Sequence, residues 1–177
     1  MRRRSTTLVL GAVAVVGVTL LTGNATATPS VGLTTTILAK STFDSTQLSG
    51  FARLDDGKGF PKPSDVWLVY LKTHGLTDGY VVDNVIEVGG TTGWHSHPGP
   101  SIIFVIRGTV TNYNSDVKGC AGRDYAAGSS FTDPGGRDVH MLKNNGTVQA
   151  ETIAVQLLPT GAARKTDAAA PAGCPAS

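Results

Sequence analysis

From Thr34 onward the chain is written in short runs of β-branched and aromatic residues, and a helical spacing of apolar positions is hard to find. The runs are TTTILAKSTF (Thr34–Phe43), DVWLVYLKTH (Asp65–His74), YVVDNVIEV (Tyr80–Val88), SIIFVIRG (Ser101–Gly108), TVTNYN (Thr109–Asn114), SSFTD (Ser129–Asp133), DVHMLKN (Asp138–Asn144) and TVQAETIAVQLLP (Thr147–Pro159). Between them stand clusters that break strands and form turns: DDGKGFPKPS, HGLTDG, EVGGTTG, DPGGRD and NNGT. Short strands at this spacing predict an all-β fold, an antiparallel sandwich or barrel. The least patterned stretch, Ser45–Ser64, is expected to be an irregular loop or a short helix. No internal repeat is visible, and 177 residues with 22 glycines and 9 prolines fit one turn-rich domain.

The first residues follow a different pattern. Arg2, Arg3 and Arg4 precede an apolar run, Leu8–Leu21, which leads to the small-residue sequence Ala25-Thr26-Ala27. These three zones are those of a secretory signal peptide, and the run is short for a membrane span. Residues 1–27 are therefore expected to be removed, leaving a mature chain from Thr28; an uncleaved anchor is the competing reading. Export through the Sec or the twin-arginine route stays open.

Removing the leader changes the charge. The full chain has 15 basic and 13 acidic residues, and the leader takes three arginines and no acid, so the mature chain carries 12 against 13, a net −1. Nothing in that balance points to nucleic acid or to an anionic membrane as partner. Cys120 and Cys174 are the only cysteines, and in an oxidising compartment one disulfide is the natural reading. It would pin the Ala/Pro-rich end, TDAAAPAGCPAS, to the body and stabilise by roughly 4 kcal/mol on the chain-entropy account. The expected organisation is a leader (1–27), a barrel (28–160) and a tail (161–177).

Two of the four histidines, His95 and His97, are two residues apart, so in a strand they project to one side. Ile103 and Val105 share that parity and are apolar, which places the pair inside. Adjacent imidazoles in an apolar interior are costly unless something engages their lone pairs, and a divalent metal does so. His74, before a turn, reads as a solvated loop residue. Trp94, Phe104 and Phe131 suit a pocket mouth or plain packing.

The surroundings of the pair resemble the first cupin motif. Gly89 is followed by five residues, His95, Ser96, His97, three residues, Ser101, six residues and Gly108, with Ser101 where that motif has glutamate. GSSFTDPGGRDVHMLKN resembles the second motif: Gly128, five residues, Pro134, Gly136, then His140 and Asn144, with one extra residue between Gly136 and His140. The resemblance implies an antiparallel double-stranded β-helix, or jelly-roll barrel, in which His95, His97 and His140 hold one divalent transition-metal ion (Fe, Mn, Zn, Cu or Ni). Ser101 is a poor ligand beside a carboxylate, so its place is empty, filled by water or taken by another group. Asp138, on the parity of His140, reads as a fourth ligand, a partner of that imidazole or a base; an exposed turn aspartate is the plainer alternative.

No Ser-His-Asp order, nucleophile elbow or phosphate loop is present, and Glu87 and Glu151 are the only glutamates. Any chemistry therefore belongs to the metal. The leading expectation is a secreted metal-binding cupin, an oxygenase or related metal-dependent enzyme acting on a small anionic molecule. The alternatives are a non-catalytic extracytoplasmic binder of metal or small ligand, and a barrel without a site. Such barrels often pair as homodimers.

Overall fold

The computed structural model describes residues 26–53 and 66–176. Residues 1–25 of the expected leader fall outside them, as do residues 54–64 of Ser45–Ser64. Twelve strands follow one another: β1 (Val31–Phe43), β2 (Gln47–Arg53), β3 (Val66–Lys72), β4 (Thr77–Thr91), β5 (His95–Ser96), β6 (Ser101–Arg107), β7 (Thr109–Asn114), β8 (Arg123–Ala126), β9 (Ser130–Asp133), β10 (His140–Lys143), β11 (Ala150–Pro159) and β12 (Thr166–Asp167).

Antiparallel pairing sorts ten of them into two faces of one barrel. One face runs β1-β4-β11-β6-β9 and the other β12-β5-β10-β7-β8. The long β4 joins the two, pairing with β1 and β11 along most of its length and with β10 at Thr91↔Lys143. The alternation that defines a half-buried strand decides which side chains go in. On β6, Ser101, Ile103 and Val105 are buried while Ile102, Phe104 and Ile106 face out. On β11 the inward set is Ala150, Thr152, Ala154, Gln156 and Leu158, alternately apolar and polar.

The apolar members of these sets form the core. Tyr80, Val82, Ile103, Ala154 and Leu158 pack together at one level, and Ile86, Val105, Val110, Leu142 and Ala150 at the next. A third cluster, Trp94, Cys120 and Met141, lies under the C-terminal segment.

Gln47–Arg53, expected as loop or helix, is instead a strand, paired residue by residue with β3 in a separate two-stranded sheet. Neither strand of the hairpin has a buried face, Leu48, Phe51, Trp67, Leu68 and Tyr70 all being exposed; β3 was readable from its continuous VWLVYL run, whereas in β2 Ser49 and Gly50 interrupt the apolar residues. The C-terminal segment also does more than hang from the Cys120–Cys174 disulfide, whose Cα atoms are 5.2 Å apart. β12 pairs with β5 at Thr166↔Ser96 and Asp167↔His95, and the Trp94 indole donates to the Pro175 carbonyl at 2.8 Å. Among the described residues, no helix is long and apolar enough to cross a membrane.

Candidate metal centre

Local backbone geometry aims the histidines. His95 lies on β5 directly opposite His140 on β10, so the ladder brings their side chains to one face. Gly93 sits two residues earlier at φ +65°, and a Cβ there would stand 2.2 Å from the Thr28 carbonyl oxygen; only glycine fits. Its own carbonyl accepts from His95 Nδ1–H at 2.8 Å. His97 Nδ1–H donates in turn to the Arg164 carbonyl at 2.5 Å, a partner supplied by the segment beyond residue 160. The extra residue before His140 is absorbed at Gly135-Gly136. Both have positive φ, and the Gly136 N–H donates to the His97 carbonyl at 2.7 Å, which locks the turn onto the H-x-H segment.

These bonds fix the tautomers. A carbonyl oxygen only accepts, so each Nδ1 carries its ring's proton and each Nε2 is bare when the imidazole is neutral. Burial above all, and then the neighbouring histidines, hold the pKa values of His95 and His97 below the ordinary histidine range against the opposing hydrogen bonds to the Gly93 and Arg164 carbonyls, so both rings are neutral at pH 7. Their Nε2 atoms nevertheless stand 3.2 Å apart, lone pair toward lone pair. His140 completes the group, with its ring centroid 4.4 Å from that of His95 and 5.4 Å from that of His97. Ligand atoms of all three lie within 4.8 Å of one another, and all three residues are buried. Two nitrogens on one ion at about 2.1 Å each stand roughly 3.0–3.4 Å apart at right or tetrahedral angles, so the residues fit a transition metal.

Around the histidines the structure sorts the other candidates. Ser101 is buried on the cavity wall, where its Oγ accepts from Gln156 Nε2 at 3.3 Å. Asp138 is not the exposed turn residue of the plainer reading: it is buried, because the Asn114 amide draws Oδ1 inward at 2.7 Å. Its Oδ2 lies 3.9 Å from His140 Nδ1, an ionic rather than a hydrogen-bonding distance. His140 and the Asn114 amide hold its pKa below the usual carboxylate value against the opposing effect of burial. Phe131 lines the cavity, Trp94 packs beneath the C-terminal segment, and Phe104 and His74 face solvent.

Sequence reasoning missed Asp133 and Arg164. Asp133 is 3% exposed and 3.8 Å from both His97 Nε2 and His140 Nδ1, and burial raises its pKa despite those imidazoles. It ends a strand-like run, SSFTD, and a terminal aspartate there reads as a turn starter. Arg164 lies in a segment with no strand pattern; nothing in its local sequence marks it. Its guanidinium donates to Gln156 Oε1 at 3.0 Å on the wall of a cavity of about 70 Å³ that also holds the three histidines.

A nearly closed antiparallel double-sheet barrel around an H-x-H pair and a histidine of the facing strand is the cupin architecture, and this chain has that fold. No protein-family model matches the chain, and no curated protein does. Solved structures similar to it include a cupin-like protein from Thermotoga maritima (24% identity, 51% of this chain and 65% of that one, TM-score 0.45). Another is a conserved protein with a double-stranded β-helix domain from Klebsiella pneumoniae (21% identity, 51% and 70%, TM-score 0.44). An oxalate oxidase in complex with the substrate analogue glycolate aligns at 23% identity over 44% of this chain, TM-score 0.40; the chain spans 41% of its length.

Proposed function

We propose that this chain is an exported metal-binding cupin in which His95, His97 and His140 hold one divalent transition-metal ion beside a site for a small anionic molecule. The observation that carries the reading is the pair of bare, buried Nε2 atoms held 3.2 Å apart by carbonyl anchors on their far nitrogens. Two lone pairs so placed repel one another, and a cation between them removes the cost. When bound, such an ion supplies Lewis acidity or, for a redox-active metal, one-electron chemistry.

The chain's own residues define what lies next to it. The cavity is small against the roughly 300–1,000 Å³ of sites for drug-sized ligands, which favours a molecule of few atoms. Arg164 brings a cationic head to the wall and Gln156 holds it there, an arrangement suited to a carboxylate or similar anion. Thr152 Oγ1 is buried without a partner on the same wall, so it is free to bond a ligand. Ile103, Phe131 and Leu142 form the apolar side and exclude water.

The reaction class that fits is a metal-dependent conversion of a small anion, an oxygenase or related enzyme. The cavity lining among the described residues has no carboxylate, and this favours as second reading a binder that holds metal and anion without turnover. One experiment separates them. Metal content of the exported protein and of His95→Ala, His97→Ala and His140→Ala is measured after loading. The proposal expects about one ion per chain in the parent and little in each variant; turnover of small carboxylates that disappears with the metal identifies the enzyme. Full metal retention by the variants would refute the site.

A further inference from the structure

The inward side chains of the sheet that faces the histidines fall into three bands, because opposed residues on neighbouring strands stand at one level. In the first, Gln156 on β11 opposes Ser101 on β6, and Gln156 Nε2 stands 3.4 Å from His97 Nδ1, so this band is level with the histidines. Two residues along, the second band is apolar: Val82, Ala154, Ile103 and Phe131 oppose one another in turn on β4, β11, β6 and β9. Two residues further the third is polar again, with Thr35, Asn84 and Thr152 opposed in turn on β1, β4 and β11. Side chains of all three bands line one cavity. Resting on the reading that the histidines hold a metal beside a small anion, we infer that the third band is a subsite for the far end of that anion. The ligand class it takes is a short-chain carboxylate whose other end carries an uncharged hydroxyl, carbonyl or amide group.

Thr152 is fully buried, and its Oγ1 has no hydrogen-bond partner, although a hydroxyl both donates and accepts. Valine would suit the strand equally well without the cost of an unpaired polar group, so the hydroxyl serves something that enters the cavity. Beside it, Asn84 Oδ1 accepts the Thr35 hydroxyl at 2.9 Å, which leaves the amide N–H groups as its donors toward a ligand. No charge accompanies these three side chains. Of the cations that line the cavity, Arg164 is held at the first band by Gln156 Oε1 at 3.0 Å, and Lys165 is paired with Asp167 at 2.7 Å. A second carboxylate would reach the third band with no cation to meet it and would lose its hydration uncompensated.

The spacing of the bands sets the length of the ligand. Gln156 and Thr152 are four residues apart on one strand, which spans about 13 Å. A metal–oxygen bond of about 2.1 Å at one end and a hydrogen bond of about 2.8 Å at the other leave about 8 Å, the reach of an extended five-carbon acid with a terminal hydroxyl. The apolar second band then covers its methylene groups.

Three probes and three proteins test the inference. Pentanoate, 5-hydroxypentanoate and glutarate are titrated calorimetrically into the Zn(II)-loaded parent, Thr152→Val and Thr152→Ser, with metal content and thermal melting measured on each. The parent should bind 5-hydroxypentanoate about tenfold more tightly than pentanoate, the equivalent of one good hydrogen bond, and glutarate no better than pentanoate. Thr152→Val should keep its metal, melt no lower than the parent and bind pentanoate and 5-hydroxypentanoate alike, whereas Thr152→Ser should retain the preference. Equal binding of these two acids by the parent, or a preference that survives in Thr152→Val, overturns the subsite and leaves the metal and anion readings standing. Glutarate as the tightest ligand overturns the uncharged far end. If the metal-loaded parent binds none of the three acids, the anion site and the subsite fail together; if the folded parent takes up no metal, the histidine reading fails with them.

Discussion

Asn144 and His140 belong to one motif and are four residues apart, but they answer to different demands. Asn144 is fully buried, and its amide donates to the Ile86 and Val148 carbonyls at 3.0 and 2.8 Å while its Oδ1 accepts the Gly146 N–H at 2.9 Å. It stitches the end of β4 to the turn between β10 and β11 and reaches no candidate ligand. Each buried group left without a partner costs about 1–3 kcal/mol, so Asn144→Ala should lose roughly 3 kcal/mol in urea unfolding. Metal affinity of the folded fraction should stay within about twofold. His95→Ala should show the reverse, because it removes a ligand and leaves only the Gly93 carbonyl to be rehydrated. A variant of Asn144 that loses metal while still folded would mean that the motif asparagine acts on the site itself.

At the scale of elements, charge placement ties strands that hydrophobic pattern only lays side by side. Asp78, at the start of β4, accepts from Thr42 Oγ1 at 2.6 Å and Thr160 Oγ1 at 3.0 Å and pairs with Lys40 Nζ at 3.1 Å, thereby joining β4 to β1 and to the end of β11. The Thr42 hydroxyl above all, then Lys40 and Thr160, hold its pKa down at about 2 against the opposing effect of burial. A carboxylate whose folded pKa lies below its unfolded value stabilises the fold above the unfolded pKa, and that stability is lost as pH falls through the folded one. Unfolding free energy should therefore drop between about pH 4 and pH 2, and Asp78→Asn should flatten that limb; an unchanged slope would show that other carboxylates carry it. The strands themselves were legible wherever β-branched and aromatic residues run together, buried on one face as in β6 and β11 or exposed as in β1 and β3. The parity argument from His95 and His97 to Ile103 and Val105 holds through the Pro98-Gly99-Pro100 turn, since Ser101, Ile103 and Val105 are all inward. What was not legible are elements short of such a run: β2, interrupted by Ser49 and Gly50; β8, only four residues long; and β12, whose two residues are a strand only because β5 offers an edge. Asp133 stayed hidden for a related reason. Its approach to His97 and His140 depends on which strand β9 pairs with, and strand register is a long-range property that local sequence does not contain.

At the scale of the whole molecule, the segment around Thr28 and the C-terminal segment close over the site strand. Thr28 donates its backbone N–H to the Ala168 carbonyl at 2.9 Å, and its hydroxyl accepts the Trp94 N–H at 2.7 Å; an α-amino group created by cleavage after Ala27 can still donate to Ala168. Exported protein should accordingly start at Thr28 and be two mass units lighter than its reduced form if the Cys120–Cys174 bridge is intact, as intact mass spectrometry reads directly. The segment after residue 160 then does two separable things. Beyond Ala170 it contributes the disulfide and the carbonyl that takes the Trp94 indole N–H. Between residues 161 and 170 it contributes Arg164, whose carbonyl orients His97, and β12, which pairs with His95. A chain ending at Ala170, with Cys120→Ala to avoid a free thiol, should lose about 2–4 kcal/mol of stability and keep its metal affinity. A chain ending at Thr160 with the same substitution leaves His97 Nδ1–H without its acceptor and strips β5 of one of its two partner strands, leaving only β10. Loss of such an outer partner typically lowers metal affinity about 10–100-fold, and that is the drop expected here on top of the lost stability. Equal affinities in the two truncated proteins would show that the C-terminal segment only covers the barrel and that His97 needs no anchor to present its nitrogen.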